Sequence, residues 1–351
     1  MAEKGKIVCH FCGGCATSIA SKVMTTVADL GDGFADIEFN YIDTSTSSYD
    51  KLKDPRGELF LIENKEYNGT TIQGAGGERV IKAKEVLANI PNYLNKQKMF
   101  KVDPGVYHAV FFSASGGSGN VSGVYIVRSL LERNIPVFCV VVGDSSSGMY
   151  SINTLNALAT LNKIAMDFNK PLSLIYVNNT NFYKDGAATA EKDANMYLTT
   201  TMTGISLFLS GQNGELDNQD MLNFIDQSKY KTVQVKPGLY GVHIYSKNIE
   251  LPEGATPTGM RILTIGEQDF HVNPSILHFK RGFVTNPNAL NIIQQEQYPL
   301  YMVNYANFFA LEEKVLKPMT DNAYNISENI VNSQVSGSAK SSVDEETGLI
   351  L

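Results

Sequence analysis

The sequence lacks the features that would place it in several large functional classes. No apolar run approaches the ~18 residues that cross a bilayer. Basic residues are in deficit: 29 Lys and Arg stand against 36 Asp and Glu, a net charge of -7, with an isoelectric point near 5.3. That balance argues against sequence-independent binding of nucleic acid, which needs a basic face. Met1-Ala2-Glu3-Lys4-Gly5 leads into a short strand and not a signal-peptide core, so the expectation is an intracellular protein without direct nucleic-acid or membrane contact.

Cysteine is scarce too. Three of the four form Cys9-His-Phe-Cys12-Gly-Gly-Cys15, and Cys139 stands apart. No second Cys-x-x-Cys supplies the fourth ligand of a structural zinc site, and Cys9 falls in a buried-strand pattern, so reduced thiols and no metal site are expected. No Gly-Lys-Ser or Gly-Lys-Thr follows any glycine cluster, which excludes a P-loop. The dinucleotide fingerprint fails as well, because the main glycine cluster follows roughly the fourth strand and not the first.

That cluster organises the chain. Ser113 to Gly123 reads Ser-Ala-Ser-Gly-Gly-Ser-Gly-Asn-Val-Ser-Gly, behind the apolar run Tyr107 to Phe112 and ahead of helical spacing from Val121 to Leu131. Gly116, Gly117, Ser118 and Gly119 let backbone N–H groups approach a ligand, and a helix N-terminus behind them favours negative charge. Two further loops have the same form: Gly13-Gly14 after the strand Lys6 to Phe11, opening a helix from Ala16, and Gly74-Ala-Gly76-Gly77 ahead of an amphipathic helix. Each alone is explicable as a turn, but three in an alternating β/α pattern point to one polyphosphate. Polar clusters at Asp43 to Ser48, Gly143 to Gly148 and Asn178 to Thr180 end other strands, at the edge where doubly wound sheets collect ligands.

With 351 residues and 43% hydrophobic content, two domains are expected. Alternation of strand and helix persists to about residue 180, implying a mainly parallel sheet. A long helical segment runs from about Ala187 to Ser210, and a new helix opens at Glu215-Leu-Asp217-Asn-Gln-Asp220. Asp217 and Asp220 share a helix face, and ordinary helix-start chemistry explains the pair as well as a functional role does. After residue 230 short strands separated by Pro/Gly turns indicate an α+β segment, then a helix from about Tyr305 with Pro318 kinking or restarting it. Ser333 to Ser342 is small and polar. The end, Asp344-Glu-Glu-Thr-Gly-Leu-Ile-Leu351, joins an acidic triplet to three large aliphatics, which suits a docking peptide as well as a frayed terminus.

Together the glycine loop after the fourth strand, the long helix, the acidic pair and the second α+β segment resemble the tubulin/FtsZ superfamily. The tail, the loop at residues 73–77 and the run from Val140 to Asn179 are most similar to the tubulins of large bacteriophages, the PhuZ group. The likeness covers nearly the whole chain. It implies an α/β fold with a GTP-binding domain over residues 1–186, a central linking helix over 187–211, an α+β activation domain over 212–303, a C-terminal helix over 304–332 and a flexible acidic tail over 333–351.

The family signature Gly-Gly-Gly-Thr-Gly-Ser/Thr-Gly is degenerate here, Ser115-Gly116-Gly117-Ser118-Gly119-Asn120-Val121. The resemblance implies nucleotide contacts from Gly13, Gly14, Cys15, Gly76, Gly77, Ser115, Gly116, Gly117, Ser118 and Gly119, with ribose or base contacts from Asp144, Asn179 and Asn195. It implies that Asp217 and Asp220 complete the active site of the next subunit, although the asparagine that precedes them in the family is Glu215. GTP or GDP with Mg²⁺ is then the implied ligand, and a head-to-tail filament with GTP hydrolysis at the subunit interface the implied activity. Further implications are tail docking on a neighbouring subunit, a role in positioning or segregating phage DNA or capsids, contact with a nucleus-like compartment, and location in the cytoplasm of the host bacterium. A plasmid-partitioning tubulin, a sugar-phosphate isomerase-like protein and a filament that binds nucleotide without turnover remain the alternatives.

Overall fold

The computed structural model describes residues 4–62, 66–67, 70–71, 74, 83–98, 102–103, 105–181, 187–211, 217–226, 235–245, 252–265, 279–282, 300–332 and 349–350. Its frame is one sheet of ten strands in the order β11-β10-β12-β9-β8-β7-β6-β1-β2-β3 among those residues. The strands are β1 (Lys6–Cys12), β2 (Asp36–Asp43), β3 (Leu59–Leu61), β6 (Val106–Ser113), β7 (Val137–Gly143), β8 (Pro171–Asn178), β9 (Gly238–Tyr245), β10 (Thr256–Ile265), β11 (Phe279–Gly282) and β12 (Leu300–Ala306). A separate hairpin pairs β4 (Glu66–Tyr67) with β5 (Thr70–Thr71).

From β3 to β9 every pairing is parallel. Antiparallel pairing begins only at β9–β12 and continues at β12–β10. The strands after residue 230 therefore extend the first sheet. Their junction is short: β8 and β9 are in register only from Pro171↔Gly238 to Leu174↔Gly241, after which β8 runs on unpaired by β9.

Strands buried on both faces read as near-continuous apolar runs, and β7, Val-Phe-Cys-Val-Val-Val-Gly, is buried throughout. Alternation sends Ile7, Cys9 and Phe11 into one core and Val8 and Cys12 into the other. Cys9 and Cys12 thus lie on opposite faces of β1, while Cys15 is exposed, so these thiols do not converge.

The first face is covered by α1 (Gly13–Ile19), a π-helical turn (Ala20–Met24), α2 (Thr25–Ala28), α6 (Ala187–Phe208) and α7 (Asn218–Ile225). The second is covered by α3 (Ala83–Lys96), α4 (Ser118–Glu132), α5 (Gly148–Asp167) and α8 (Phe308–Asn332). Two boundaries differ from the sequence expectation. The first helix starts at Gly13 and not at Ala16, because Gly13 adopts φ +78° and turns the chain directly out of β1. Pro318 lies inside α8, which runs unbroken through it. Residues 288–295, whose sequence also suits a helix between two of the short strands, lie outside the described residues.

Candidate functional site

Chain order and strand order together fix where a ligand would sit. From β1 the chain moves to β2 on one side, and β6 then joins β1 on the other. In such sheets the crevice beyond the carboxyl ends of the strands at this switch is the binding place. Here the crevice is formed by the turn from β1 into α1 and the loop from β6 into α4.

These two turns touch. A Cβ added at Gly13 would lie 2.7 Å from the Gly119 Cα, and one added at Gly119 would lie 2.5 Å from the Cys12 carbonyl oxygen. No side chain fits between them, so two helix N-termini, with their unpaired backbone N–H groups, open side by side. The segment after β2 closes a third side: the Thr44 hydroxyl donates to Ser118 Oγ at 3.0 Å, and a Cβ at Gly14 would meet Ser48 Oγ at 2.6 Å. The Gly74 amide donates to the Thr44 carbonyl at 3.3 Å, carrying the start of the third glycine loop to the same edge. Gly76 and Gly77 lie outside the described residues.

Polar side chains brace this edge from below. Asn120 donates to the Ala114 carbonyl at 2.5 Å, while its Oδ1 is buried with no partner among the described residues. Asn153, on α5, donates to the Ser115 carbonyl at 3.0 Å, and the Ser113 and Ser115 hydroxyls are 2.9 Å apart. Asp144 accepts from the amide and hydroxyl of Ser146. Ser145 donates its amide to Thr180 Oγ1 at 2.9 Å, and Asn178 accepts from the Thr180 amide at 3.0 Å. Asp43, at the end of β2, is 8% exposed. Burial pushes its carboxyl up to about 6, opposed by hydrogen bonds from the Thr44 and Ser45 amides.

Most residues assigned to the nucleotide are thereby brought together: Gly13, Gly14, Ser115, Gly116, Gly117, Ser118, Gly119 and Asp144 lie at one edge of the sheet. Cys15 is the next residue on α1. Asn195 lies on α6, one turn after Glu191, which pairs with Lys22 of the π-helical turn and ties α6 to the helix that Gly13 opens. Asn179 begins a half-exposed turn, and its neighbour Asn178 is the buried anchor. The sequence placed Asn178 in a polar strand end at this edge but singled out neither Asn120 nor Asn153; a signal existed in the amides set within otherwise apolar helix faces.

The acidic pair is elsewhere. Asp217 caps α7: its Oδ1 accepts from the Asp220 amide at 2.8 Å, and Asp220 Oδ2 accepts from the Asp217 amide at 3.3 Å, a reciprocal capping box. Asp217 lies close enough to Tyr107 to oppose ionisation of its phenol, which burial raises first. Tyr107 stands at the amino end of β6. The end of α6 marks the same edge, since the Gly5 amide donates to the Leu209 carbonyl at 2.9 Å. A strand of eight residues rises about 23 Å at ~3.3 Å per step, so the acidic pair and the glycine crevice occupy opposite edges of one sheet.

At the chain end, Leu349 is buried in the second core, and the Ile350 amide donates to Thr160 Oγ1 of α5 at 3.2 Å. This end of the tail lies against its own chain.

No protein-family model matches the chain. It is 26% identical over 236 residues to a phage tubulin-like protein of Pseudomonas phage 201phi2-1, a match spanning 66% of this chain and 65%, just under two thirds, of that protein's length. Among solved structures it is similar to the subunit of the PhuZ201 filament, with TM-score 0.68, 20% identity and coverage of 98% and 99% of the two chains. It is also similar to phage tubulin PhuZ bound to GDP, with TM-score 0.68, 21% identity and the same coverage. The switch-point crevice, the glycine turns and these likenesses agree: the chain has the tubulin/FtsZ fold, and its sequence is similar to those of phage tubulin-like proteins.

Proposed function

We propose that the protein is a filament-forming GTPase, whose subunits stack head to tail and hydrolyse GTP where the glycine crevice of one meets Asp217 and Asp220 of the next. The observation that carries this reading is the placement of crevice and acidic pair at opposite edges of the same parallel sheet. Within one subunit they are too far apart to act on one phosphate. A translation that stacks identical subunits brings them together, and such a heterologous contact continues without closing.

The chemistry asks for positioning more than for covalent catalysis. Backbone N–H groups of the Gly13-Gly14 and Ser115–Gly119 turns hold the phosphates. The incoming carboxylates orient a water for in-line attack on the γ-phosphate, and Mg²⁺ carried with the nucleotide offsets the accumulated negative charge. The close approach of the Gly13 and Gly119 backbones sets the two turns side by side, so that their N–H groups can face one polyphosphate. The relatives' names support the same direction, one being a filament and another holding GDP. The tail contact seen with α5 would be exchanged between neighbours on assembly, as identical elements are in domain swapping. The cellular role that follows is a cytoplasmic filament in the infected host, positioning phage DNA or capsids.

Mixing two inactive variants tests the arrangement. Gly119→Ala closes the crevice, and Asp217→Asn removes a carboxylate while keeping a good helix cap. Each alone should release little phosphate from GTP. In an equimolar mixture of the folded proteins, about a quarter of the interfaces join an intact crevice to an intact acidic pair, so phosphate release should return. A mixture as silent as its components, or full turnover by Asp217→Asn alone, would reject hydrolysis across the interface.

A further inference from the structure

The fork between β8 and β9 holds a cavity that the nucleotide reading does not use. Beyond Leu174 the two strands part, and the gap, about 320 Å³ and partly open to solvent, is lined from both sides of the split. Its walls are aromatic. The Tyr176 and Phe308 rings meet edge to face at 5.4 Å, Tyr305 lies 6.2 Å from Phe308, and Tyr197 contributes from α6.

Two polar groups in this lining are poorly served. The Tyr176 hydroxyl is buried and makes no hydrogen bond of good geometry among the described residues, although the Asn178 side chain is close by. Glu312, one turn into α8, has neither a hydrogen bond nor an ion pair with any described residue. A carboxylate set among rings without a counter-charge is costly. Burial accordingly pushes Glu312 up to about 7. His243, the one group among the described lining residues that could become cationic, is pushed down to about 4 by burial and stays neutral.

Aromatic faces around an uncompensated carboxylate are the surroundings that favour a positively charged organic group. We propose that the fork is a binding site for a small organic ammonium ion, with Glu312 as its counter-charge and the rings of Tyr176, Tyr305 and Phe308 as its walls. An anion is disfavoured, since no lysine or arginine is among the described lining residues and Asp144 is close to Tyr176. A bare metal ion is disfavoured too, because a single carboxylate among rings offers few of the oxygen ligands a hard cation needs.

Calorimetric titration with phenethylammonium chloride, in sodium chloride of fixed concentration, tests the site. Saturable binding is expected at pH 8, weakening as pH falls to 6 and Glu312 gains its proton. Tyr176 and Tyr197, held protonated by burial, and neutral His243 do not titrate in that interval. Glu312→Gln, which keeps the side-chain shape, should bind at least tenfold more weakly at pH 8, and so should phenethyl alcohol with the wild-type protein. Equal binding of the alcohol would reduce the fork to an apolar groove and overturn the proposal, as would undiminished binding to Glu312→Gln or no saturable binding at millimolar ligand.

Discussion

The two edges of the central sheet are built by different rules. The amino edge follows local chemistry: α6 ends against Gly5, and α7 begins with a reciprocal capping box whose stabilising bonds are all within four residues. The carboxyl edge breaks local rules. Among the described residues it holds a glycine at φ +78°, two backbones too close for any Cβ, an unpartnered Asn120 oxygen and a buried Asp43 carboxyl. Each of those is unfavourable alone, and such violations concentrate where structure is kept for binding. The contrast sets a crevice whose geometry local rules do not explain against an acidic pair that a helix cap explains in full. Under the proposed function its chemical role comes from assembly.

The sharpest way to break the contrast is at Gly119. A Cβ there meets a backbone carbonyl that cannot rotate away, so Gly119→Ala should weaken binding of a fluorescent GTP analogue by about 100-fold, on the order of 3 kcal/mol. Gly14→Ala should cost less, about tenfold, because the Ser48 hydroxyl in its way can turn aside. Equal, small losses for the two would mean that the close approach of the turns is packing and not a cradle.

Next in size is the buried charge. Asp43 is raised from 3.8 to about 6, so its contribution to stability is full below pH 3.8 and is lost as pH rises through 6. His108, hydrogen-bonded to His10 in a chain that ends at Tyr93, is lowered from 6.5 to about 4, chiefly by burial. Its contribution is full above pH 6.5 and is lost as pH falls through 4. The two slopes oppose each other over the same interval, each worth about 3 kcal/mol. Asp43→Asn removes one. In urea denaturation of the nucleotide-free protein, that variant should be more stable by about 2–3 kcal/mol at pH 7 and should lose stability more steeply from pH 6.5 to 4. Parallel pH curves for variant and wild type would show that Asp43 is not a strained feature of this edge.

How much of this was legible in the sequence follows the same division. β1, β6, β7 and β8 are mainly apolar runs closed by small or polar residues, so the parallel half and its glycine turns could be read directly. The convergence of Gly13 with Gly119 could only be suspected, because it depends on β6 pairing with β1 across a hundred residues. Asn120 and Asn153 were not singled out, and Asn178 was read only as part of a polar strand end, because a buried amide and a turn amide look alike without their partners. The join of β9 to β8 was hidden for a similar reason: four residues of register, 67 positions apart, leave no periodic trace. Asp217 and Asp220 were readable as a cap from their spacing alone, and the cap is what the structure shows.

That leaves the smallest effect, and the one that separates capping from chemistry. Asp217→Ala deletes the acceptor for the Asp220 amide and should cost about 1 kcal/mol in stability. Asp217→Asn keeps an acceptor and should cost only a few tenths. If the carboxylate acts on water at the interface, both variants should lose GTP turnover alike while differing in thermal midpoint. If Asp217 serves only α7, turnover should follow stability, with Asp217→Asn close to wild type and only Asp217→Ala impaired. Turnover and melting measured on the same two proteins thus decide whether the amino edge is a structural end or half of an active site.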